Sequence, residues 1–174
     1  YFESINGLDA NNCTDLLIEG NDATFVFSST DYRFFIRNSD CVEIRNLNID
    51  WNWKKSPLAS VVIVQNSNTD TNTLDLVFKD AEYCDENCRL MAITQCDPET
   101  YTFGAKYSSK EVYLYQDGTN IKSFQKISDN TLRVTHNGCM NGFEDGETYI
   151  LRHYVYNGTV FNLRDYSKNI TFDN

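Results

Sequence analysis

A pattern of eight residues occurs three times in the chain, and it constrains the fold more than any other feature of the sequence. The copies are CTDLLIEG (13–20), SDCVEIRN (39–46) and SKNITFDN (167–174). In each copy apolar and polar side chains alternate, which is the two-residue period of a β-strand with one buried face. The apolar positions are Leu16 and Ile18, Val42 and Ile44, and Ile170 and Phe172. The repeat therefore predicts three equivalent strands.

Further strand-like runs lie between the first two copies, which begin 26 residues apart. They are ATFVFSS (23–29) and YRFFIRN (32–38), and short polar turns are predicted on either side of them. The FFIR of residues 34–37 recurs as FNLR at 161–164, again shortly before a copy of the repeat. Three short strands per repeat are typical of one coil of a solenoid. We therefore predict an all-β chain that forms part of a right-handed parallel β-helix.

Residues 52–156 break the repeat and predict a separate β-rich domain. Their strand-like runs include SVVIVQN, TLDLVF and TLRVTH, with turn sequences such as Asn137-Gly138 between them. We predict an inserted antiparallel β-barrel or sandwich, so that residues 1–51 form the first coils, 52–156 the insertion and 157–174 the return to the helix. The last coil is expected to be truncated, and its uncapped end favours self-association of the isolated chain.

Composition excludes several classes of partner. The chain has 15 Lys and Arg against 25 Asp and Glu, a formal charge of −10, and no basic cluster, so nucleic acid is not an expected partner. No run approaches the ~20 apolar residues of a membrane-spanning helix. The six cysteines lack zinc-knuckle spacing and predict disulfides or buried thiols. The scattered glycines form no phosphate-binding loop, so no nucleotide cofactor is expected.

The segments LLIEGNDATFVFSS (16–29), FFIRNSDCVEIRNLNIDWNW (34–53) and SPLASVVIV (56–64) resemble, in that order, the start of bacterial β-helix α-1,3-galactosidases. These glycoside hydrolases remove terminal galactose from blood-group-B-type glycans, and their first coils run into a small inserted barrel. The resemblance covers roughly the first 65 residues, and residues 151–174 look like the family's return to the helix. Cys41, where many relatives carry Asn, and the turn WNWKK (51–55) depart from the family pattern.

The resemblance implies a secreted or cell-surface glycosidase that is inverting and independent of metals and other cofactors. Its partner would be an oligosaccharide or polysaccharide, and its main catalytic carboxylates would lie on coils that follow the insertion. A non-catalytic surface protein that binds glycans or protein partners is the alternative, because the fold alone does not assign a function.

Glycoside hydrolysis needs a carboxylic acid and a carboxylate roughly 5 to 10 Å apart. Asp50 is the first candidate, because the alternation around it predicts an outward side chain next to the insertion. Asp165 and Asp173 follow the insertion and are further candidates. Each of the three is also explained by an ordinary turn or outward strand residue, and for Asp165 and Asp173 that reading is favoured.

Trp51 and Trp53 are candidate sugar-binding residues, since two indoles two positions apart on an extended chain point to one side and can stack on sugar rings. Buried indoles at the junction with the insertion are the alternative. Arg45 is the third candidate, because Glu19, Arg45 and Asp173 occupy one outward position of the repeat and predict a ladder of charges. A solvated surface ladder without contact to substrate is the favoured alternative. The acidic loop 141–147 lacks the spacing of an EF-hand and is not expected to bind calcium.

Overall fold

A computed structural model describes residues 2–3, 8–28, 34–87, 89–104, 110–114, 118–154 and 160–173. Strands dominate these residues, and the helical element described is one 3-10 turn, Ala81–Tyr83. The strands in chain order are β1 (Phe2–Glu3), β2 (Leu8–Asn11), β3 (Thr14–Phe27), β4 (Phe34–Arg37), β5 (Asp40–Trp51), β6 (Ala59–Asn68), β7 (Thr73–Phe78), β8 (Leu90–Gln95), β9 (Glu111–Tyr113), β10 (Ile121–Ser128), β11 (Thr131–His136), β12 (Thr148–His153), β13 (Phe161–Arg164) and β14 (Lys168–Asp173). The chain divides into two compact units: unit 1 is Tyr1–Ser56 with Asn157–Asn174, and unit 2 is Pro57–Tyr156.

Unit 1 contains two parallel sheets, with strand orders β1-β3-β5-β14 and β13-β4-β2. The register of the first sheet places Leu16, Val42 and Ile170 in one row and Ile18, Ile44 and Phe172 in another. In the second sheet Phe34–Arg37 pairs residue by residue with Phe161–Arg164. The predicted alignment of the three repeats, and that of FFIR with FNLR, is therefore confirmed.

Strand β3 runs through a segment that the repeat predicted to be a turn. It is 14 residues long and contains Gly20, Asn21 and Asp22, where the pairing with β5 shifts register between Glu19 and Ala23. Asn21 has φ 49° and Asp22 φ 58°, and both residue types tolerate this left-handed conformation. The strand therefore passes this point with an irregularity instead of ending there.

The prediction of a right-handed parallel β-helix is wrong. The described residues show two parallel sheets and one antiparallel sheet, and no parallel β-helix. Three separate strands per repeat were expected, but the first two merge in the long strand β3, so each repeat supplies fewer strands than a three-sided coil requires. The all-β class is confirmed, while the solenoid is not.

Unit 2 contains a seven-stranded antiparallel sheet with the order β10-β11-β7-β6-β12-β8-β9. This sheet curls into a half-barrel, with β10 and β9 at its two edges. The predicted barrel or sandwich is therefore also corrected: the strands are antiparallel, as expected, but among the described residues they form one half-barrel sheet. Closure of a barrel needs pairing between the first and last strands, which are β10 and β9 here.

Each unit has its own apolar core, which the period-two alternation of its strands supplies. The core of unit 1 is centred on Phe34, whose ring stacks on Phe161 with centroids 5.0 Å apart. The core of unit 2 contains one face of the half-barrel, and its fully buried members include Val62, Val64, Leu74, Leu76, Ile93, Leu132, Val134, Tyr149 and Leu151. Burial of this apolar area is the main stabilising contribution to each unit.

Five cysteines are free thiols: Cys13, Cys41, Cys84, Cys96 and Cys139. Cys84 and Cys96 are buried, and burial raises the pKa of both thiols. The sixth, Cys88, lies outside the described residues. Among the residues that the structure describes, no helix has the length and apolar character needed to cross a membrane.

Candidate functional site

The parallel pairing of β5 with β14 brings two of the candidate residues together. Asp173 lies directly opposite Arg45 in the register of these strands. Asp50 lies on the same sheet but five positions beyond Arg45, which at about 3.3 Å per residue separates it from Asp173 by more than about 10 Å. That separation exceeds the spacing of a glycosidase carboxylate pair. Asp50 and Asp173 therefore do not form such a pair with each other.

Asp165 is remote from Asp173. It lies in the turn between β13 and β14, with φ 55°, and its backbone carbonyl accepts a hydrogen bond from the Asn38 amide at 3.0 Å. Strand β14 spans six residues between that turn and Asp173. The three candidate carboxylates are thus distributed along unit 1 and do not converge.

Asp50 lies one residue before the end of β5 and pairs with Val26 of β3. Its carboxylate accepts a hydrogen bond from the backbone amide of Trp51 at 2.7 Å, and its side chain is exposed. An aspartate that bonds to the next amide is common where a strand gives way to a turn. The local geometry therefore supports the structural role that the sequence left open, while leaving a carboxylate oxygen accessible to solvent.

Arg45 is held by two glutamates. Its Nε donates to Glu19 Oε2 at 2.6 Å and its Nη1 to Glu43 Oε1 at 3.2 Å. The hydrogen bond from Arg45, followed by one from Asn46, holds the pKa of Glu19 below its ordinary value. The predicted row of Glu19, Arg45 and Asp173 is present, but the described side-chain bonds of Arg45 go to glutamates. Asp173 therefore keeps a carboxylate that no described side chain neutralises.

The two tryptophans occupy different environments. Trp51 ends β5, packs against the core of unit 1 and donates from Nε1 to the Ser56 carbonyl at 2.6 Å. Trp53 is 49% exposed and begins a turn over 53–55. The extended chain that would place both indoles on one side is not observed. Of the two, Trp53 has the ring surface that a ligand can reach.

An open, largely apolar cavity of about 170 Å³ lies beside Asp173. Its wall is formed by Ile44, Leu47, Ile49, Phe161, Phe172 and Asp173. Asp173 supplies the charge of this lining. Three residues of β5, Ile44, Leu47 and Ile49, line the cavity, and Ile49 directly precedes the candidate Asp50. A ligand here would meet apolar walls and one carboxylate.

Unit 2 holds a carboxylate that is fully engaged by the protein. Glu147 accepts hydrogen bonds from Lys110 Nζ at 2.5 Å, Gln95 Nε2 at 2.9 Å, Tyr149 Oη at 2.7 Å and the Glu144 amide at 2.9 Å. Burial alone would raise the pKa of Glu147, but these bonds, led by that of Lys110, outweigh it and lower the pKa. Glu147, which belongs to the acidic loop, therefore has a structural role: it connects Gln95 of β8 with Lys110 and Tyr149.

A buried pair in unit 2 was not found from the sequence. Ser60 Oγ and His153 Nε2 lie 2.8 Å apart, with 5% and 2% of the two residues exposed. Burial lowers the pKa of His153 to about 4. The alternation of β12 could have indicated an inward His153. Its serine partner comes from the pairing of β12 with β6, which the local pattern does not specify.

Comparisons with known proteins yielded no family model that matches the chain and no match among curated proteins.

Proposed function

We propose that the parent protein is a glycoside hydrolase that cleaves terminal α-galactosyl linkages, and that this chain supplies part of its substrate site. The observation that carries the proposal is the position of Asp173, at an apolar cavity and without a neutralising side chain among the described residues. Sugars present apolar ring faces together with hydroxyl groups, so a cavity with aromatic walls and a carboxylate suits them. The resemblance of residues 16–64 to α-1,3-galactosidases supports the choice of sugar.

In this proposal Asp173 is one catalytic carboxylate. Asp50, near the end of β5, and Trp53, in the turn that follows, contact the substrate. Asp50 and Asp173 are farther apart than the carboxylate pair of a glycosidase, which is about 5 to 10 Å. The second catalytic carboxylate must therefore come from another strand. The resemblance implies that this carboxylate follows the insertion in the sequence. The proposal includes secretion or display at the cell surface, an oligosaccharide or polysaccharide as the partner, and self-association of the chain.

The test is galactose release from an α-1,3-galactosyl oligosaccharide by a longer chain that continues past residue 174. Asp173→Asn is expected to lower the turnover number about 100-fold or more, as loss of a general acid or base does. Asp50→Asn is expected to raise KM with a smaller effect on turnover. Asp70→Asn, which changes an exposed turn residue of unit 2, is the matched control.

Turnover that Asp173→Asn leaves unchanged would remove Asp173 from the mechanism. Absence of turnover on α- and β-galactosides, together with measurable glycan binding, would favour the non-catalytic surface protein instead.

A further inference from the structure

One face of the half-barrel in unit 2 presents aromatic and charged side chains from β12 and β9, on either side of the buried Ala92 and Thr94 of β8. On β12, Tyr149, Leu151 and His153 are buried in the core, so Arg152 lies on the opposite face. The pairing of β12 with β8 and of β8 with β9 sets Arg152, Ala92 and Tyr113 in one row. Ile150, Thr94 and Glu111 form the adjacent row.

Arg152 is fixed in this face by its neighbours. Its Nη2 donates to a carboxylate oxygen of Glu111 and lies 3.5 Å from Thr94 Oγ1. Its guanidinium carbon is 6.0 Å from the centre of the Tyr113 ring. The Arg152 side chain is only 18% exposed, so its orientation is set by packing before any ligand arrives.

The groups beside Arg152 remain accessible. Tyr113 is 48% exposed, and the Glu111 side chain is 41% exposed. An exposed aromatic ring next to an oriented guanidinium and a carboxylate can stack on the apolar face of a pyranose while donating to and accepting from its hydroxyl groups. These are the two kinds of contact that a sugar ring offers at once.

Charge selects among the possible ligands of this face. Arg152 and Glu111 neutralise each other locally, and the whole chain carries a formal charge of −10. A polyanion such as a sulfated glycan or a nucleic acid would be repelled by that net charge. A neutral sugar chain meets no such penalty.

We propose that Tyr113, Arg152 and Glu111 form a binding site for a neutral oligosaccharide, separate from the cavity beside Asp173. The choice of an α-galactosyl ligand rests on the proposed function, but binding at this face requires no turnover. A site of this kind holds a polymeric or branched substrate at a second point and raises its effective concentration at the first.

The test is a titration of the 174-residue chain with α-1,3-galactobiose, followed by amide chemical shifts in the NMR spectrum. The expected result is shifts that concentrate on β8, β9 and β12, with a Kd that Tyr113→Ala weakens about 5-fold or more, the size of one aromatic contact. Glu111→Gln is expected to weaken binding as well. Phe103→Ala is the matched control, since Phe103 is an exposed aromatic residue of unit 2 outside these rows, and it should leave Kd unchanged.

Far-ultraviolet circular dichroism of each variant separates lost binding from lost folding. Shifts confined to the surroundings of Asp173, an unchanged Kd for a folded Tyr113→Ala variant, absence of binding, or stronger binding of heparin than of galactobiose at this face would each overturn the proposal. Galactobiose binding at this face by a protein that hydrolyses no galactoside would uphold it while contradicting the proposed hydrolase.

Discussion

At the scale of single residues, the Ser60 and His153 pair shows how burial sets the state of a titratable group. The imidazole is almost completely enclosed, and its Nε2 shares a hydrogen bond with the Ser60 hydroxyl. Burial is what disfavours the charged ring. Charging the ring would place an ion in the buried interior, away from water, which is costly. The pair therefore stabilises unit 2 only while His153 is neutral.

The stability of unit 2 is expected to fall as pH decreases through the window between the unfolded and folded pKa values of His153. The folded pKa is lowered from 6.5 to about 4, so the unfolded state binds more protons in this window and gains stability relative to the folded state. Between pH 7 and pH 5 the expected loss is about 2 kcal/mol from this residue. Urea unfolding at the two pH values, followed by far-ultraviolet circular dichroism, measures it.

The matched variant is His153→Gln, which keeps a hydrogen-bonding group but does not titrate. It should be less stable than the natural chain at pH 7 and should lack most of the decrease between pH 7 and pH 5. His136, whose pKa is also lowered by burial, is present in both proteins and cancels in the comparison. An equal decrease in both proteins would show that His153 is charged in the folded state or already exposed.

Residue positions were predictable from the sequence where they depend on local alternation. The inward placement of Leu16, Val42 and Ile170 follows from the period-two pattern and is observed. Partnerships across unit 2 were not predictable in this way. Ser60 and His153 are 93 positions apart. They are neighbours because β6 pairs with β12, and this long-range pairing depends on the complete sheet.

At the scale of elements, the repeat specifies which strands are neighbours but not where each strand ends. The polar residues after Gly20 were interpreted as a turn because asparagine and aspartate are common there. In the structure the same residues adopt positive φ inside β3, and the neighbouring strand β5 does so at Asn46, with φ 51°. Because β3 pairs with β5 on both sides of this irregularity, the two predicted strands form one continuous strand. The three separate strands that a β-helix coil requires are therefore not present.

Gly20 is the residue that permits the two strands to approach at this irregularity. A Cβ atom at position 20 would lie 2.4 Å from the Asn46 carbonyl oxygen and 2.9 Å from Leu47 Cα. Both are backbone atoms, so relief requires moving a strand. Gly20→Ala is therefore expected to destabilise unit 1 by about 1 to 3 kcal/mol, the cost typical of overpacking. Urea unfolding followed by tryptophan fluorescence reports on unit 1, because both tryptophans, Trp51 and Trp53, belong to it.

The control for this substitution is Gly104→Ala, because a Cβ atom at position 104 would meet no atom within 4 Å. It removes the same glycine flexibility without a clash, and it should leave the tryptophan-detected transition unchanged. If Gly20→Ala unfolds at the same urea concentration as the natural chain, β3 and β5 do not approach as closely as described.

At the scale of the whole molecule, the chain builds two cores from sequence patterns of the same period. Unit 2 is one continuous segment whose first and last strands pair, and the His153 amide donates to the Leu58 carbonyl at 2.9 Å. A segment with neighbouring ends can interrupt another unit without separating that unit's strands. The sequence indicated an insertion because the repeat resumes after it, yet the open form of its sheet depends on long-range pairing that no local pattern encodes.

The candidate site was predictable only in part for the same reason. Arg45 and Asp173 were expected in one row, and the register of β5 and β14 places them there. The cavity beside Asp173 was not expected, because it depends on Phe161 from the other parallel sheet as well as on β5 and β14. Sequence periodicity assigns faces to strands, whereas a cavity arises from how two sheets meet.

The edge formed by β13 and β14 leads to a prediction about association. Leu163 and Phe172 are 50% and 45% exposed there, and Phe172 also lines the apolar cavity. Edge strands with exposed apolar residues pair readily with other chains. The 174-residue chain is therefore expected to show concentration-dependent association in sedimentation velocity. Phe172→Lys is expected to weaken that association about 10-fold or more, since burying a phenylalanine contributes about 1.5 to 3 kcal/mol.

Tyr166→Lys introduces the same charge in a side chain that is 97% exposed in the adjacent turn, and it should leave association unchanged. Equal weakening by both substitutions would assign the effect to charge instead of to this edge, and a monomer at all concentrations would show that the exposed apolar residues are insufficient to hold a second chain.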